Sequence, residues 1–379
     1  MRLSVTLVGF IATRALGYTS WPPTSCPPFT KGTFSVNQLQ LYPENADWDT
    51  KTCLVYFGLD IIPIKLEQLI FPYDSHEEAN LPSISALFNA SVAVLDPYTD
   101  KIVDIWTFPG VTHNPDQHIG GVAADPYTGL ITVLTDAAAA FGTSGTDVSG
   151  NNLLYKVEPI TKTIIWTANL TALTNGKYGG FQDVEHDVYG NTYVVGTYPS
   201  SIVRVNALGV ASPWYGPNGV PTTTYGYAGL AAVFGTNILL VNDNASGELY
   251  RFNMSEPMGH PVLVPRTPAN ISLGDSDAIY LPPRYGGKVL LVANDLGGTT
   301  VLRSKDGLWN TAEQLGTISD NVTEAQGGFV PSTIEISGSL FSVQEFFFDG
   351  DSSTIPESGN RTVFPLVDIT AKVEALLAQ

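Results

Sequence analysis

The chain has 379 residues, which is enough for two average domains or for one large all-β ring. Hydrophobic residues make up 44% of the sequence and charged residues only 14%, while 36 glycines and 26 prolines supply frequent turns, a composition that favours many short strands and excludes a bundle of long helices. The formal net charge of −18 keeps such a chain soluble and disfavours binding to nucleic acid or to an anionic membrane.

Residues 1–17 have the pattern of a secretory signal peptide. Arg2 gives a positive start, residues 3–12 form an apolar stretch too short to span a bilayer, and residues 15–17 offer a cleavage site. We therefore expect the mature protein to begin near Tyr18 and to enter the secretory pathway, whether it leaves the cell or stays in a secretory compartment. No later segment reaches the length of a membrane span.

Asn-x-Ser/Thr sequons are consistent with that route, because N-glycosylation occurs there. The seven sequons begin at Asn89, Asn169, Asn244, Asn253, Asn270, Asn321 and Asn360.

The sequence contains two cysteines, Cys26 and Cys53. In an oxidising compartment they would pair and link the N-terminal segment to the first repeat. The alternative is two unpaired thiols, one of them buried in a strand. We favour the disulfide.

A pattern of about fifty residues recurs along the chain. Its clearest copy runs from Gln182 to Asn206, with one strand, a turn at Gly190-Asn191 and two further apolar strands. Six such units predict an all-β fold, a six-bladed β-propeller with four-stranded blades that occupies residues 18–379. The ring is expected to close when an N-terminal strand within residues 33–41 joins blade six.

Two segments stand outside the repeat. Residues 60–89 form an insertion that is either a functional lid or a solvated loop. Residues 369–379 have apolar side chains at helical spacing and predict a C-terminal capping helix.

Three short segments resemble the gluconolactonase and senescence-marker propellers. Residues 42–49 resemble the opening blade of that family, Gln182-Asp183 resembles its Asn-Asp step, and residues 276–279 resemble its Pro-Asp-Gly-Ile step. This resemblance implies the six-bladed fold more strongly than any one activity.

A closer resemblance is to propellers encoded in fungal secondary-metabolite clusters, such as the hetero-Diels–Alderases of tropolone–sesquiterpenoid pathways and the trichothecene-cluster cyclase. It rests on the N-terminal pattern and on residues 116–122, 226–230 and 294–298. The resemblance implies an enzyme that dehydrates an alcohol and closes an oxygen heterocycle, by hetero-Diels–Alder or pyran closure. Its substrate would be a hydrophobic terpenoid- or polyketide-derived molecule, and no cofactor would be required.

Polar residues recur at one step of several blades. In a propeller the start of each inner strand and the end of the next strand face the same mouth of the channel. The residues placed at this mouth are Glu44, His118, Gln182, Asp183 and Asp277, with Asp136, Tyr198, Asn242, Asn294 and Gln344 on adjoining loops.

These residues allow two kinds of chemistry. Glu44 and Asp277 match positions where the lactonase family holds a divalent cation, and such oxygen ligands suit calcium, although Gln182 stands where that family has Asn. In the second interpretation His118 donates a proton, and Asp183 or Asp277 orients it or stabilises developing positive charge. A histidine that simply forms a hydrogen bond between blades is the alternative for His118.

A cyclase also needs an apolar cavity that holds a reactive intermediate in a folded pose. The candidates for substrate binding are Trp48, Gln182, Tyr198, Tyr225, Tyr227, Asn294 and Phe346. The alternative for each of them is a role in ordinary packing of the core or of the blades.

Three functions therefore stay open. The first is the fungal cyclase, the second a calcium-dependent lactone or ester hydrolase, and the third a binding propeller without catalysis. The sequence leaves the substrate, its stereochemistry and the oligomeric state undetermined.

Overall fold

A computed structural model describes residues 26–59, 90–114, 116–216, 219–268, 272–320, 326–346, 349 and 360–379. Its strands form six sheets, each built around four antiparallel strands. In five sheets these four strands follow one another in the chain, and in the sixth the outer strand comes from the N-terminal segment. The sheets stand around a central channel as the blades of a propeller, which confirms the predicted fold. The predicted signal peptide, the insertion at 60–89 and the sequons at Asn89, Asn270 and Asn321 lie outside the described residues.

The strands of each blade are given from the channel outward. Blade one contains Pro43–Asp49, Leu54–Leu59, Val92–Asp96 and Lys101–Trp106, and blade two contains Gln117–Ala124, Ile131–Ala137, Leu153–Glu158 and Thr163–Asn169. Blade three contains Gly179–His186, Thr192–Tyr198, Ser201–Val205 and Ala211–Tyr215, and blade four contains Tyr227–Ala232, Ile238–Asp243, Glu248–Asn253 and Val262–Leu263. Blade five contains Ser276–Tyr280, Val289–Asn294, Gly298–Arg303 and Ala312–Ile318, with Arg266–Thr267 added in parallel at its outer edge. Blade six contains Thr333–Ile336, Ser339–Ser342, Val363–Asp368 and Phe34–Asn37.

The N-terminal strand closes the ring as predicted. Phe34–Asn37 pairs antiparallel with Val363–Asp368, placing Phe34 opposite Leu366. The Gln38 amide continues this ladder by donating to the Thr362 carbonyl at 2.9 Å. Because the first and last segments of the ring share one sheet, no sheet edge is left open at the junction.

An aspartate at the end of the inner strand explains part of the repeat. Asp49, Asp125 and Asp187 each accept backbone N–H groups from the following turn, at 2.9–3.2 Å. An aspartate side chain that caps its own turn stabilises the tight connection to the next strand. The repeated aspartate is thus a signal for the turn.

The hydrophobic core lies between neighbouring blades. At the junction of blades six and one, Phe29, Phe34 and Phe341 contact one another edge to face, with ring centroids 5.4–5.7 Å apart. Each middle strand is covered on both faces, as in Thr192–Tyr198, where every residue is buried. Residues that are apolar on both faces of a strand are expected where sheets stack.

Three short helices occur in the described part of the chain, at Ala139–Gly142, Leu170–Thr174 and Thr370–Leu377. The last confirms the predicted capping helix, and its Val373 is fully buried against the outside of blades five and six. Within the described residues, no helix has the length and apolar character needed to cross a bilayer.

Cys26 and Cys53 form a disulfide, with their Cα atoms 5.5 Å apart. This confirms the predicted bridge between the N-terminal segment and blade one. A disulfide persists where thiols are not kept reduced, so it indicates an oxidising environment.

Replacing both cysteines by serine is expected to lower the free energy of unfolding by about 3 kcal/mol, because a cross-link over such a loop restricts the unfolded chain. The two residues are separated by 27 positions. Urea unfolding of the wild type and the double variant measures the difference. Wild type unfolded with a reducing agent should match the variant, whereas equal stability of all three samples would show that the bridge contributes nothing.

Candidate functional site

The inner strands are irregular near the first mouth, the end of the channel where these strands begin. In blades one to five the pairing register shifts near the start of the inner strand. Glu44, Gln182 and Asp277 lie within three of these shifts. A β-bulge leaves one residue without a partner in the hydrogen-bonded ladder and changes the direction of its side chain. The bulges can therefore direct these three side chains toward the channel mouth.

The first mouth narrows to a throat of about 10 Å³. The residues that line it include Glu44, Gln182, Asp183 and Asp277. The structure therefore brings together four of the five polar residues predicted at this mouth. His118 lies beside them, on the inner strand of blade two, with its Cα opposite that of Asp136.

Glycines allow the inner strands to approach one another at the throat. A Cβ atom on Gly120 would lie 2.8 Å from Asp136 Oδ1 and 2.8 Å from the Phe181 carbonyl oxygen. A Cβ atom on Gly229 would lie 2.7 Å from the Ile279 amide nitrogen of the next blade. Only glycine fits at such distances, which keeps the throat narrow and the Asp136 carboxylate next to it.

Asp183 is fixed between two blades. Its Oδ1 accepts the Val184 N–H and its Oδ2 accepts the Leu230 N–H of blade four, both at 2.8 Å. Burial nevertheless raises the pKa of Asp183 to about 7, outweighing the two hydrogen bonds that favour the carboxylate.

Asp277 is held through its backbone. Its carbonyl accepts a hydrogen bond from Asn242 Nδ2 at 2.8 Å, and the next amide, Ala278 N–H, donates to the Pro331 carbonyl at 3.1 Å. Burial, together with the nearby charges of Asp295 and Asp183, raises the pKa of the Asp277 carboxyl well above its usual range. This shift favours the protonated form of the group.

Asp295 belongs to the same end of the channel, although the sequence analysis did not select it. Burial and the charge of Asp275 raise the pKa of Asp295 to about 7. Asp295 directly follows the second strand of blade five, Val289–Asn294, and this position in the sequence could have placed it at the first mouth. The predicted neighbour, Asn294, instead holds a turn by accepting the Gly297 N–H at 2.6 Å and donating to the Gly274 carbonyl at 3.0 Å.

Two of the predicted aromatic residues stand near this acidic group. The rings of Tyr198 and Tyr225 lie 5.4 Å apart, and 39% of the Tyr225 surface is exposed. Burial of its hydroxyl and the charge of Asp277 raise the pKa of Tyr225, which places the two side chains close to each other. The sequon residue Asn244 is itself buried and donates to the Tyr225 hydroxyl at 2.7 Å, whereas Asn169, Asn253 and Asn360 are exposed.

The other predicted aromatic residues have different surroundings. Tyr227 is buried and stacks on Tyr215, with ring centroids 5.6 Å apart. Phe346 is fully buried beneath Arg361. Trp48 lies at the opposite end of the channel.

Several predicted polar residues also have defined partners. Gln182 Nε2 donates to Thr197 Oγ1, and Gln344 Nε2 donates to Asp320 Oδ2. Asn242 Nδ2 additionally donates to Ser276 Oγ at 2.8 Å, so it joins blades four and five. These three amides position the walls of the channel.

The calcium interpretation stays a prediction. Among the described residues, no three His, Cys, Asp or Glu side chains are placed to hold one metal ion. Gln182 donates to Thr197 through Nε2, so Oε1 is the atom that it could offer to a cation. We derive no step through a metal.

The second mouth, where the inner strands end, opens into a larger cavity that the sequence analysis missed. Its volume is about 290 Å³. The second-mouth cavity is lined by residues that include Asp47, Trp48, Tyr127, Glu185, His186 and Tyr280. Asp47 and Glu185 lie on inner strands, whereas Lys51 and Asp125 lie on the turns that follow the inner strands of blades one and two.

The ring and its carboxyl-lined channel define the chain as a six-bladed β-propeller with a constricted mouth. No family model matches the sequence. It is 33% identical over 370 residues to trichothecene biosynthesis protein 14 of Trichoderma arundinaceum, a match that covers 93% of this chain and 92% of the relative. It is 30% identical over 370 residues to core trichothecene cluster protein 14 of Fusarium sporotrichioides, covering 93% and 88% of the two chains.

Solved structures show the same fold. The major allergen Mala s 1 of Malassezia sympodialis superimposes with a TM-score of 0.69 at 18% identity, covering 90% of this chain and 96% of the allergen. A gluconolactonase of Xanthomonas campestris gives a TM-score of 0.51 at 12% identity, with 89% of each chain covered. From the sequence relatives, the chain belongs to the trichothecene biosynthesis protein 14 family and has a role in fungal secondary metabolism.

Proposed function

We propose that this protein catalyses the dehydration of a hydroxylated terpenoid- or polyketide-derived substrate and the closure of an oxygen heterocycle on it. The observation that carries the proposal is the buried carboxyl of Asp277, which lines the first mouth beside Glu44, Gln182 and Asp183. Burial and neighbouring charges favour the protonated form of this carboxyl by raising its pKa. Membership of a family named for trichothecene biosynthesis supports the pathway class.

The proposed reaction needs one proton donor and an apolar surface that holds the substrate in a folded pose. Asp277 donates its proton to the leaving hydroxyl, the carbon–oxygen bond breaks with its electron pair on that oxygen, and water departs. An oxygen of the same substrate then attacks the electron-deficient carbon and forms the new carbon–oxygen bond. If this oxygen is a hydroxyl, its proton returns to the Asp277 carboxylate, so the balance is loss of one water.

The neighbouring groups would support this step. Negative charge on Asp183 and Asp295 would stabilise positive charge that develops on the substrate. Tyr198 and Tyr225 would offer ring faces to an apolar skeleton, and His118 beside Asp136 is a second candidate for proton transfer. The throat has room for about one water molecule, so the substrate would lie on the mouth outside it, against Asp277.

We also propose that the protein acts in the secretory pathway. The disulfide indicates an oxidising environment, and the predicted signal peptide and glycosylation sites are consistent with it. Asn169, Asn253 and Asn360 are the described sequon residues with exposed side chains.

Deletion of the gene in the producing fungus tests the function. We expect the mutant to accumulate a hydroxylated, uncyclised compound that exceeds the normal product by one water, as mass spectrometry would show. Adding purified protein to the mutant extract should convert that compound into the product. Accumulation of an unopened lactone or ester would favour the hydrolase, and an unchanged metabolite profile would favour a binding protein.

A further inference from the structure

The second-mouth cavity differs from the first mouth in size and in position. At about 290 Å³ it is close to the range of small-molecule sites, and all its lining residues belong to the described part of the chain. It lies where the inner strands end, so it is separated from Asp277 by the length of the channel. The proposed cyclisation makes no use of it.

The walls of this cavity carry more carboxyl groups than cationic side chains. Asp47 and Glu185 project from the inner strands of blades one and three, and Tyr280 projects from that of blade five. Burial raises the pKa of Asp47 to about 7 and that of Glu185 well above its usual range, and other carboxylates reinforce both shifts. Taking such groups out of water is costly unless a partner compensates them.

Two lysines lie at the cavity. Lys156 Nζ donates to Asp125 Oδ2 at 2.8 Å, so its charge is matched within blade two. Lys51 is one of the lining residues, next to Gly129, and its charge also lowers the pKa of Glu158 outside the cavity. Apart from the Asp125–Lys156 pair, the lining has the carboxyl groups of Asp47, Asp49 and Glu185 against the one ammonium group of Lys51, so an added cation is still favoured.

Aromatic and polar groups complete the site. Tyr127 of blade two stacks on Phe234 of blade four, with centroids 5.0 Å apart and planes within 5°, and both rings line the cavity. Tyr127 Oη accepts the Gly235 N–H at 3.0 Å, which fixes this aromatic bridge over blade three. His186, only 1% exposed, lines the wall, and its Nδ1 has no hydrogen-bond partner among the described residues.

We propose that the second-mouth cavity binds the primary ammonium group of a small organic amine. The ammonium donates hydrogen bonds to the carboxylates of Asp47 and Glu185 and to the Tyr280 hydroxyl. Its hydrocarbon part packs against Trp48 and the Tyr127–Phe234 bridge, where a cation near ring faces gains further stabilisation. The chemistry selects a cation with N–H donors, because the walls offer acceptors and aromatic faces.

Isothermal titration of the full-length protein with 2-phenylethylammonium tests this site. Its uncharged isostere, 2-phenylethanol, is the matched ligand, and we expect the amine to bind at least about tenfold more tightly, as one charge-assisted hydrogen bond would give. Glu185→Gln and Asp47→Asn should each weaken amine binding by about tenfold or more. Each substitution keeps a carbonyl oxygen for one backbone N–H. Asp47→Asn loses the second acceptor, because the native side chain accepts the Trp48 N–H through Oδ1 and the Ala124 N–H through Oδ2.

Glu256→Gln makes the same chemical change at a half-exposed position outside the cavity and should leave amine binding unchanged. The amine affinity of a variant is compared with that of the wild type only if the two proteins have the same melting temperature and near-ultraviolet circular dichroism. If Glu185→Gln unfolds, Tyr280→Phe provides the substitute. Equal affinity for amine and alcohol, or undiminished amine binding by a folded Asp47→Asn variant, would overturn the proposal.

Discussion

The Asp277→Asn variant is expected to turn over substrate about 10² to 10⁴ times more slowly than the wild type, the usual contribution of a positioned general acid. An asparagine keeps the size of the side chain and the backbone contacts with Asn242 and Pro331, but it has no proton to donate. The measurement is the single-turnover rate of purified protein with the hydroxylated precursor isolated from the deletion strain.

The thermal stability of the Asp277→Asn variant shows whether its lower turnover comes from the lost proton donor or from a damaged fold. A buried carboxyl with a raised pKa destabilises the folded protein when it ionises, so Asp277→Asn should unfold at the same or a higher temperature above neutral pH. Wild-type turnover should fall as the pH rises through the pKa of Asp277, because the protonated form is the donor. Full activity in a folded Asp277→Asn variant, with activity lost in His118→Ala, would transfer the role of donor to His118.

The Lys156→Met variant is expected to lose about 3 to 5 kcal/mol of folding free energy, the cost of breaking a buried ion pair by removing one partner. The side chains of Lys156 and Asp125 are 4% and 0% exposed, and Lys156 Nζ also donates to Thr132 Oγ1 at 3.1 Å. The pair holds the pKa of Asp125 below its usual range, since Lys156 and the nearby His186 favour the carboxylate. Without the lysine, the buried carboxylate of Asp125 lacks its cationic partner.

Chemical unfolding of three variants measures this loss. Adding Asp125→Asn to Lys156→Met should restore most of the stability, because Asn can still accept the turn amides of Tyr127 and Thr128 through Oδ1. Lys162→Met removes an exposed partner of Asp104, and we expect little change from it. A Lys156→Met variant as stable as Lys162→Met would show that the buried pair contributes nothing.

The fold could be predicted from the sequence because the patterns that indicate its strands and turns are local. Apolar runs, the turn aspartates such as Asp187 and the glycine turns repeat in every part of the chain, and a ring is what such units build. Closure by the strand at Phe34–Asn37 and the Cys26–Cys53 bridge could also be predicted, since each joins segments whose pattern is visible on its own.

The site could be predicted only in part. The strand position of Glu44, Gln182 and Asp277 was enough to place them at one mouth, but the bulges that redirect them depend on register, which apolar patterning does not determine. Asp295 and the second-mouth cavity depend on contacts across the ring. The stacking of Tyr127 on Phe234 joins residues that are more than one hundred positions apart in the sequence, so no local sequence pattern predicts it.

The most direct test of the proposed function is the in vitro reaction of purified protein with the hydroxylated precursor, followed by mass spectrometry and nuclear magnetic resonance of the product. The account predicts a product lighter by one water that contains a new oxygen heterocycle, formed by the wild type and about 10² to 10⁴ times more slowly by Asp277→Asn. Recovery of the precursor unchanged, or of a hydrolysed product heavier by one water, would contradict it.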